Sequence, residues 1–251
     1  EGNVVFGTPK LCYVIEKESG DVLCDETTLT RKGYILENNL YNGEYHDYSQ
    51  YPDGFDKNGY CGNDFSESTV IPAPESNFQI QFSPSDKAVR SLEPKLIKDE
   101  GKTKLYEVSE NTVGYAVFRC TEKGKKIVVS YAEEIYDERP YYGVKFADSY
   151  QTDTFITDGV DREYVPEFTW HGFRYFRVEG DVEPIRVDVV HSDCPVISSF
   201  ESDNENLNWL YNAYIKTQLC NMHSGVPSDC PHRERLGYTG DGQLCCEAGM
   251  M

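Results

Sequence analysis

The sequence has few basic residues and no long apolar segment. Lys and Arg together number 24 against 43 Asp and Glu, which gives a formal charge of −19 at pH 7. A field of this sign repels phosphate backbones, so we expect no nucleic-acid partner, while neutral ligands such as sugars stay open. No apolar run approaches the roughly 18 residues that a membrane helix needs, so we expect no membrane partner either.

The cysteines lack any paired pattern. There are nine of them at irregular spacing, with no C-x-x-C motif. This usage argues against a disulfide scaffold or a zinc knuckle and indicates reduced thiols. The opening residues EGNVVFGTPK lack the charged start and long apolar core of a signal peptide. We therefore expect a cytoplasmic protein.

Residues 1–195 carry mostly strand patterns. The segments 115–120 and 126–131 flank a Thr-Glu-Lys-Gly turn and predict a hairpin. The segments 173–178 and 185–190 alternate apolar and polar residues. Short strands with frequent Gly and Pro predict an antiparallel β-sandwich. The 19 Tyr residues fit half-buried strand positions, and some could stack on sugars.

Two stretches interrupt the strand pattern. Residues 46–66 are rich in Gly, Asp and Tyr without a period and predict a long loop, and Asp56–Gly59 within it is better explained as a turn than as a calcium loop. Residues 72–84 predict a join between two β units. The domains predicted are therefore 1–85, a partial N-terminal β domain; 86–195, a β-sandwich; and 196–251, the opening of a helical domain.

After Phe200 the period changes from strand to helix. Ser202–Glu205 has the S-x-x-E form of a capping box. Apolar residues follow at helical spacing: Leu207, Leu210, Tyr211, Tyr214, Ile215 and Leu219. Asp241 is predicted to cap a second helix. A single amphipathic helix and a short second one cannot close a core, so the fold class predicted is mainly β, followed by the first helices of a larger helical domain.

The densest run of reactive side chains is the loop SDCPHRERLGYTGDGQ, residues 228–243. Its carboxylates at 229, 234 and 241 suit glycoside hydrolysis, which needs one protonated carboxyl and a second carboxylate to activate water or attack. Two Arg flank the Glu and oppose a rise in its pKa. A structural Arg/Asp/Glu network that ties the loop to a helical domain explains the same residues equally well, and both readings stay open at this point.

Metal and thiol chemistry are weaker explanations of this loop. Asp229, Cys230, His232 and Glu234 are metal-ligand types, but no second ligand pair lies at a zinc-like spacing. Cys230 and His232 are too close in sequence for the usual pairing of a thiol nucleophile with its base. We therefore expect no metal and no cofactor.

Four stretches resemble one enzyme family. Asp229–Asp241 (DCPHRERLGYTGD) closely resembles the signature of bacterial α-L-rhamnosidases, glycoside hydrolase family 78, which reads D-C-P-x-R, an optional Asp, then E-R-L-G-W-x-G-D. Leu40–Glu44 resembles the family's L-Y-N-G-E, and Phe168–Tyr175 resembles its F-T-Y-H-G-F-R-Y. Val190–Asp193, followed by Ser199-Phe200, matches the lead into the family's helical domain.

The resemblance implies a fold and a set of site residues. It implies N-terminal β domains followed by an (α/α)6 barrel that carries the active site, so the chain corresponds to the β domains and the start of a truncated barrel. It implies an inverting reaction on terminal α-L-rhamnose with Glu234 as the general acid. The predicted substrate-binding residues are Asp229, Arg233, Arg235, Tyr238, which stands where the family usually has Trp, and Asp241.

One half of the catalytic pair has no match in this sequence. The family's general base is a Glu far along the barrel, beyond the equivalent of residue 251. We therefore predict a fragment of a rhamnosidase that is inactive by itself. The alternative is a non-catalytic carbohydrate-binding β module. A rhamnose-containing carbohydrate is the expected partner in both cases, and a homo-oligomer stays open.

Overall fold

The structure of this chain is a computed structural model that describes residues 10–22, 27–62, 64–72, 79–136, 139–141, 151–233 and 235–250. The chain divides into two compact units. One contains residues 1–34 and 50–81, and the other contains residues 35–49 and 82–251. The domain boundaries predicted after residues 85 and 195 stay a prediction.

The described residues form mostly strands, as the sequence predicts. The strands are β1 (Leu29–Thr30), β2 (Ile35–Asn39), β3 (Gly43–Asp47), β4 (Ser66–Glu67), β5 (Asp86–Leu92), β6 (Lys95–Asp99), β7 (Thr103–Cys120), β8 (Lys123–Ala132), β9 (Glu134–Tyr136), β10 (Arg139–Tyr141), β11 (Thr152–Asp158), β12 (Arg162–Tyr164), β13 (His171–Glu179), β14 (Pro184–Ser192), β15 (Met222–His223) and β16 (Val226–Pro227). The helices are a 3-10 turn (Tyr48–Gln50), α1 (Glu205–Cys220) and α2 (Thr239–Gly249).

The first unit contains a short antiparallel pair. Strand β1 pairs with β4, and Leu29 lies opposite Glu67. Arg31 forms an ion pair of 3.2 Å with Asp64. The loop predicted over 46–66 starts later than expected, because β3 and the 3-10 turn continue to Gln50. Much of the predicted join at 72–84 falls on residues 73–78, which lie outside the described residues.

The second unit is built on one large curled sheet. Its strand order is β2-β3-β11-β8-β13-β7-β14-β5, and β6 and β12 also pair with β7. The pairs are antiparallel, as predicted, except that β11 and β3 run parallel. The long strand β7 pairs with β13 through its first part and with β14 through its second part. Gly114 lies at this change of partner with a φ of +144°, and a Cβ there would lie 1.9 Å from the Asp188 carbonyl oxygen.

The hairpin predicted for 115–120 and 126–131 is wrong. The two segments are strands, but β8 pairs with β11 and β13, and β13 lies between β8 and β7 in the sheet order. The Tyr131 hydroxyl accepts a hydrogen bond of 3.1 Å from the Ala116 N–H in the buried interior. The two segments therefore meet through a buried side chain and not as neighbouring strands.

The core is aromatic. Phe118 and Phe155, from β7 and β11, are fully buried with ring centroids 6.4 Å apart. Tyr106 stacks on Phe176 at 5.2 Å. Alternate residues of each strand supply these side chains, which is why the period of two predicted the strands correctly.

Both helices begin at other residues than predicted. Asn204 caps α1, since its side chain accepts from the Asn206 N–H, and Ser202 accepts from the Asn204 N–H instead of forming a capping box. Asn is as good an N-cap as Ser, which explains the shift. Helix α2 follows Tyr238, which makes no side-chain cap bond, so the predicted cap residue Asp241 lies inside the first turn. Neither helix is long and apolar enough to cross a membrane.

Candidate active-site loop

The reactive motif forms a closed loop between α1 and α2. We call residues 228–238 the motif loop. The Asp229 N–H donates to the Leu236 carbonyl at 3.3 Å, and the Arg235 N–H donates to the Cys230 carbonyl at 3.2 Å. These two backbone bonds join residues 229 and 230 to residues 236 and 235, on either side of the predicted general acid in the sequence. Glu234 itself lies outside the described residues.

The side chain of Arg235 points into the sandwich. Arg235 is only 6% exposed, and its Cζ lies 4.7 Å from the centroid of the Trp170 ring. Its guanidinium faces five acceptors: the Pro231 carbonyl at 2.8 Å, the Leu40 carbonyl, the Thr169 hydroxyl at 3.5 Å, Gln151 Oε1 at 2.8 Å and His171 Nδ1 at 3.4 Å. An arginine has five N–H donors, so every donor faces an acceptor.

A group of buried polar residues lies beneath the motif loop. We call Glu44, His46, Gln151, Asp153 and His171 the buried polar cluster; each is 5% exposed or less. Glu44 accepts from His46 at 2.6 Å, and its N–H donates to Asp153 at 2.9 Å. Glu44 also accepts from the backbone N–H groups of Glu167 and Phe168. The cluster thereby fixes the segment that leads into β13.

The hydrogen bonds of His171 define its tautomer. Its Nε2 lies 2.9 Å from Asp153 Oδ2, and its Nδ1 faces Arg235. Arg235 can only donate, so Nδ1 accepts, and the neutral ring donates from Nε2 to Asp153. Burial lowers the pKa of His171, the Asp153 carboxylate opposes that shift, and the Arg235 charge adds to it. Burial also lowers the pKa of Arg235, to about 9.

The motif loop lies directly on β13. A Cβ at Gly172 would lie 2.9 Å from the His232 nitrogen and 2.9 Å from Pro231 atoms, so only glycine allows this approach. A second contact joins His232 Nδ1 to Glu133 Oε2 at 3.1 Å. Burial alone would raise the pKa of Glu133, but the hydrogen bonds from His232 and Asn111 outweigh it and lower that pKa.

The other predicted site residues lie along the same loop. Asp229 and Arg233 are half-buried, and the Asp229 carboxylate accepts from the Cys230 thiol at 3.2 Å. Tyr238 is 42% exposed at the start of α2. Asp241 lies in the first turn of that helix. The roles predicted for these residues stay predictions.

Sequence reasoning missed the residues that hold the loop. Gln151, Asp153 and His171 were not predicted as site residues. One signal is present in the sequence, since Leu40–Glu44 and Phe168–Tyr175 each resemble a stretch of the family. The structure brings both stretches into contact with Arg235.

Comparisons with known proteins agree with this layout. Three family models match: the α-L-rhamnosidase N-terminal domain over residues 10–90, the bacterial α-L-rhamnosidase concanavalin-like domain over 97–193, and the bacterial α-L-rhamnosidase 6 hairpin glycosidase domain over 195–251. A β-sandwich that leads into a six-hairpin domain is the layout of one class of glycosidases. The chain belongs to the bacterial α-L-rhamnosidase family, glycoside hydrolase family 78.

Individual relatives show the same relationship. An α-L-rhamnosidase of Formosa agariphila is 28% identical over 98% of this chain and 28% of its own length. One of an Alteromonas species is 31% identical over 86% of this chain and 25% of its own length. The solved α-L-rhamnosidase from Dictyoglumus thermophilum has a TM-score of 0.83 at 30% identity, over 94% of this chain and 28% of that one. The chain thus spans about a quarter of the length of these relatives.

Proposed function

We propose that this chain is the sandwich and the opening of the catalytic domain of an inverting glycosidase that removes terminal α-L-rhamnose. Glu234 donates a proton to the leaving-group oxygen. A carboxylate outside these 251 residues activates water on the opposite face of the sugar, roughly 6.5–9.5 Å away. The chain by itself then turns over rhamnosides slowly or not at all, since loss of one acid or base costs about 10²–10⁴-fold.

The observation that carries this proposal is the position of the motif. Residues 229–241 lie within the region that matches the six-hairpin domain, 195–251. Two backbone hydrogen bonds join residues 229 and 230 to residues 236 and 235, and Arg235 anchors this part of the loop in the sandwich. A fixed loop suits a general acid, because proton transfer requires hydrogen-bond reach of the glycosidic oxygen.

The gene itself offers the first test. If the reading frame continues for several hundred codons of paired helices, the proposal stands. If it stops after residue 251, no general base is encoded, and the alternative of a carbohydrate-binding module is favoured. The cytoplasmic location, the absence of nucleic-acid partners and the oligomeric state stay predictions from the sequence.

The roles of the site residues are tested in the longer gene product. Glu234→Gln keeps shape but carries no transferable proton, so we expect kcat on natural rhamnosides, which have poor leaving groups, to fall far more than kcat on activated aryl rhamnosides. Asp229→Asn and Asp241→Asn should slow both substrate classes alike and weaken rhamnose binding, because hydroxyl contacts are indifferent to the leaving group.

The controls separate chemistry from folding. Thermal unfolding of each variant shows how much folded protein remains. Equal losses on both leaving groups for Glu234→Gln, or a loss in proportion to unfolded protein, would contradict its role as the general acid.

A further inference from the structure

We propose that Arg235 is a positioning residue that holds the general acid Glu234 in place by anchoring the motif loop in the β-sandwich. The inference rests on the proposed function, since it assumes that Glu234 is the acid. It replaces the sugar contact that the family resemblance implies for Arg235.

The first argument is that Arg235 has no donor left for a sugar. Its five N–H groups face five acceptors, all within the protein, and only 6% of the residue is exposed. Two of these acceptors, Gln151 and His171, belong to the buried polar cluster. Within that cluster, Asp153 accepts hydrogen bonds from His171 and from the Glu44 N–H. Because Arg235 directly follows Glu234, a guanidinium fixed on this platform fixes the backbone on one side of the acid.

The second argument is electrostatic. None of the five acceptors of Arg235 is a carboxylate, so the buried cation is not balanced by a direct ion pair. The lowered pKa of Arg235 is consistent with that imbalance. An apolar residue of similar volume often stabilises a fold better than a buried charge does. An apolar residue cannot supply the five directional N–H donors of the planar guanidinium. These donors fix the orientation of the Arg235 side chain relative to the sandwich.

The third argument is backbone strain. Arg235 has a φ of +54°, in the left-handed region that residues other than glycine rarely adopt. The residue keeps this conformation because its contacts determine it. On the other side of the loop, the backbone at Pro231 and His232 lies within 2.9 Å of where a Cβ of Gly172 would be. The described residues on both sides of position 234 therefore contact the sandwich, His232 before it and Arg235 after it.

The experiment compares leaving groups in the longer gene product. In Arg235→Met we expect kcat on a natural rhamnoside to fall about 10²-fold, the size of loss that a displacement of about 1 Å can cause. On an activated aryl rhamnoside, which needs the acid less, the loss should be under about tenfold. The matched control is Arg119→Met. Arg119 forms an exposed bidentate pair with Asp161 at 2.6 and 2.7 Å, far along the sequence from the motif loop.

A double variant separates positioning from general damage. If Arg235 acts through Glu234, then Arg235→Met in the Glu234→Gln background should cause no further loss on the natural rhamnoside. Additive losses, or equal losses on both leaving groups, would overturn the inference. A rise in KM with kcat unchanged would also overturn it, because that pattern indicates a sugar contact.

Two further safeguards keep the test decisive. If Arg235→Met does not fold, Arg235→Lys is measured instead; it keeps the cation and loses the fork, and the same dependence on leaving group is expected. If Glu234→Gln alone shows no dependence on leaving group, the proposed function fails and this inference fails with it. If Glu234→Gln behaves as expected and Arg235→Met does not, only the positioning role is overturned.

Discussion

The sandwich and the first helix of the second unit differ in how their apolar side chains are covered. In the sandwich, Phe155, Phe173 and Phe176 have no exposed surface. In α1 no residue is buried, and Trp209 and Leu210 are 69% and 57% exposed. The sandwich therefore completes its own core. Helix α1, in contrast, presents apolar side chains that the other described residues leave exposed. This difference accords with the proposal that further helices follow.

The largest expected effect is the difference in stability between a truncation in the sandwich core and a truncation in helix α1. Phe176→Ala removes a fully buried ring and should lower the free energy of unfolding by about 3–5 kcal/mol. Leu210→Ala truncates a side chain that is 57% exposed, so it should change the free energy of unfolding by no more than about 0.5 kcal/mol. Urea unfolding of the 251-residue chain measures both. A Leu210→Ala cost similar to that of Phe176→Ala would mean that the helix already packs into a complete core.

A smaller effect is expected where the loop meets the sandwich. Gly172→Ala places a methyl group 2.9 Å from the backbone of the motif loop, so the loop must shift, at a cost of about 1–3 kcal/mol. The control is Gly240→Ala in α2, where a Cβ meets nothing within 4 Å and helix propensity should stabilise by up to about 1 kcal/mol. Thermal unfolding compares the two. Unchanged stability in Gly172→Ala would argue against close contact between loop and strand.

Sequence alone predicted the periodic elements and missed the contacts between them. The strands over 173–178 and 185–190 and the helix after residue 204 follow from side-chain period. The hairpin after residue 120 failed because period and turn residues do not specify which strands pair. The motif loop was located correctly, but Arg235 contacts Gln151 and Leu40, which are 84 and 195 residues away in sequence. Such contacts depend on the folded sheet, and no local pattern encodes them.

Acid should weaken the attachment of the loop, which is the smallest effect expected. The folded-state pKa of His171 is lowered by burial, so the unfolded chain takes up this proton first as the pH falls. Stability from His171 is thus fully present above about pH 6.5, the usual His value, and is lost as the pH falls through the lowered folded pKa. Protonated Nδ1 would then face the N–H of Arg235, and the bond between them would be lost.

The test compares wild type with His171→Gln between pH 7 and pH 5. Burial also lowers the pKa of His223, which contributes in the same window, so the difference between the two proteins carries the test. We expect urea midpoints of wild type to fall more steeply with acid than those of His171→Gln. Parallel pH profiles would contradict the claim that His171 is neutral in the fold with a lowered pKa.

The central claim is that a self-sufficient sandwich holds the motif loop through Arg235. Peptide-resolved hydrogen exchange of the 251-residue chain tests it most directly, with wild type compared to Arg235→Met and Arg119→Met. We predict that Arg235→Met speeds exchange in residues 228–238 by about tenfold or more, that β7 and β13 change less than the loop, and that Arg119→Met leaves the loop unchanged. Exchange that rises equally throughout the sandwich, or a loop that does not respond to Arg235→Met, would contradict the account.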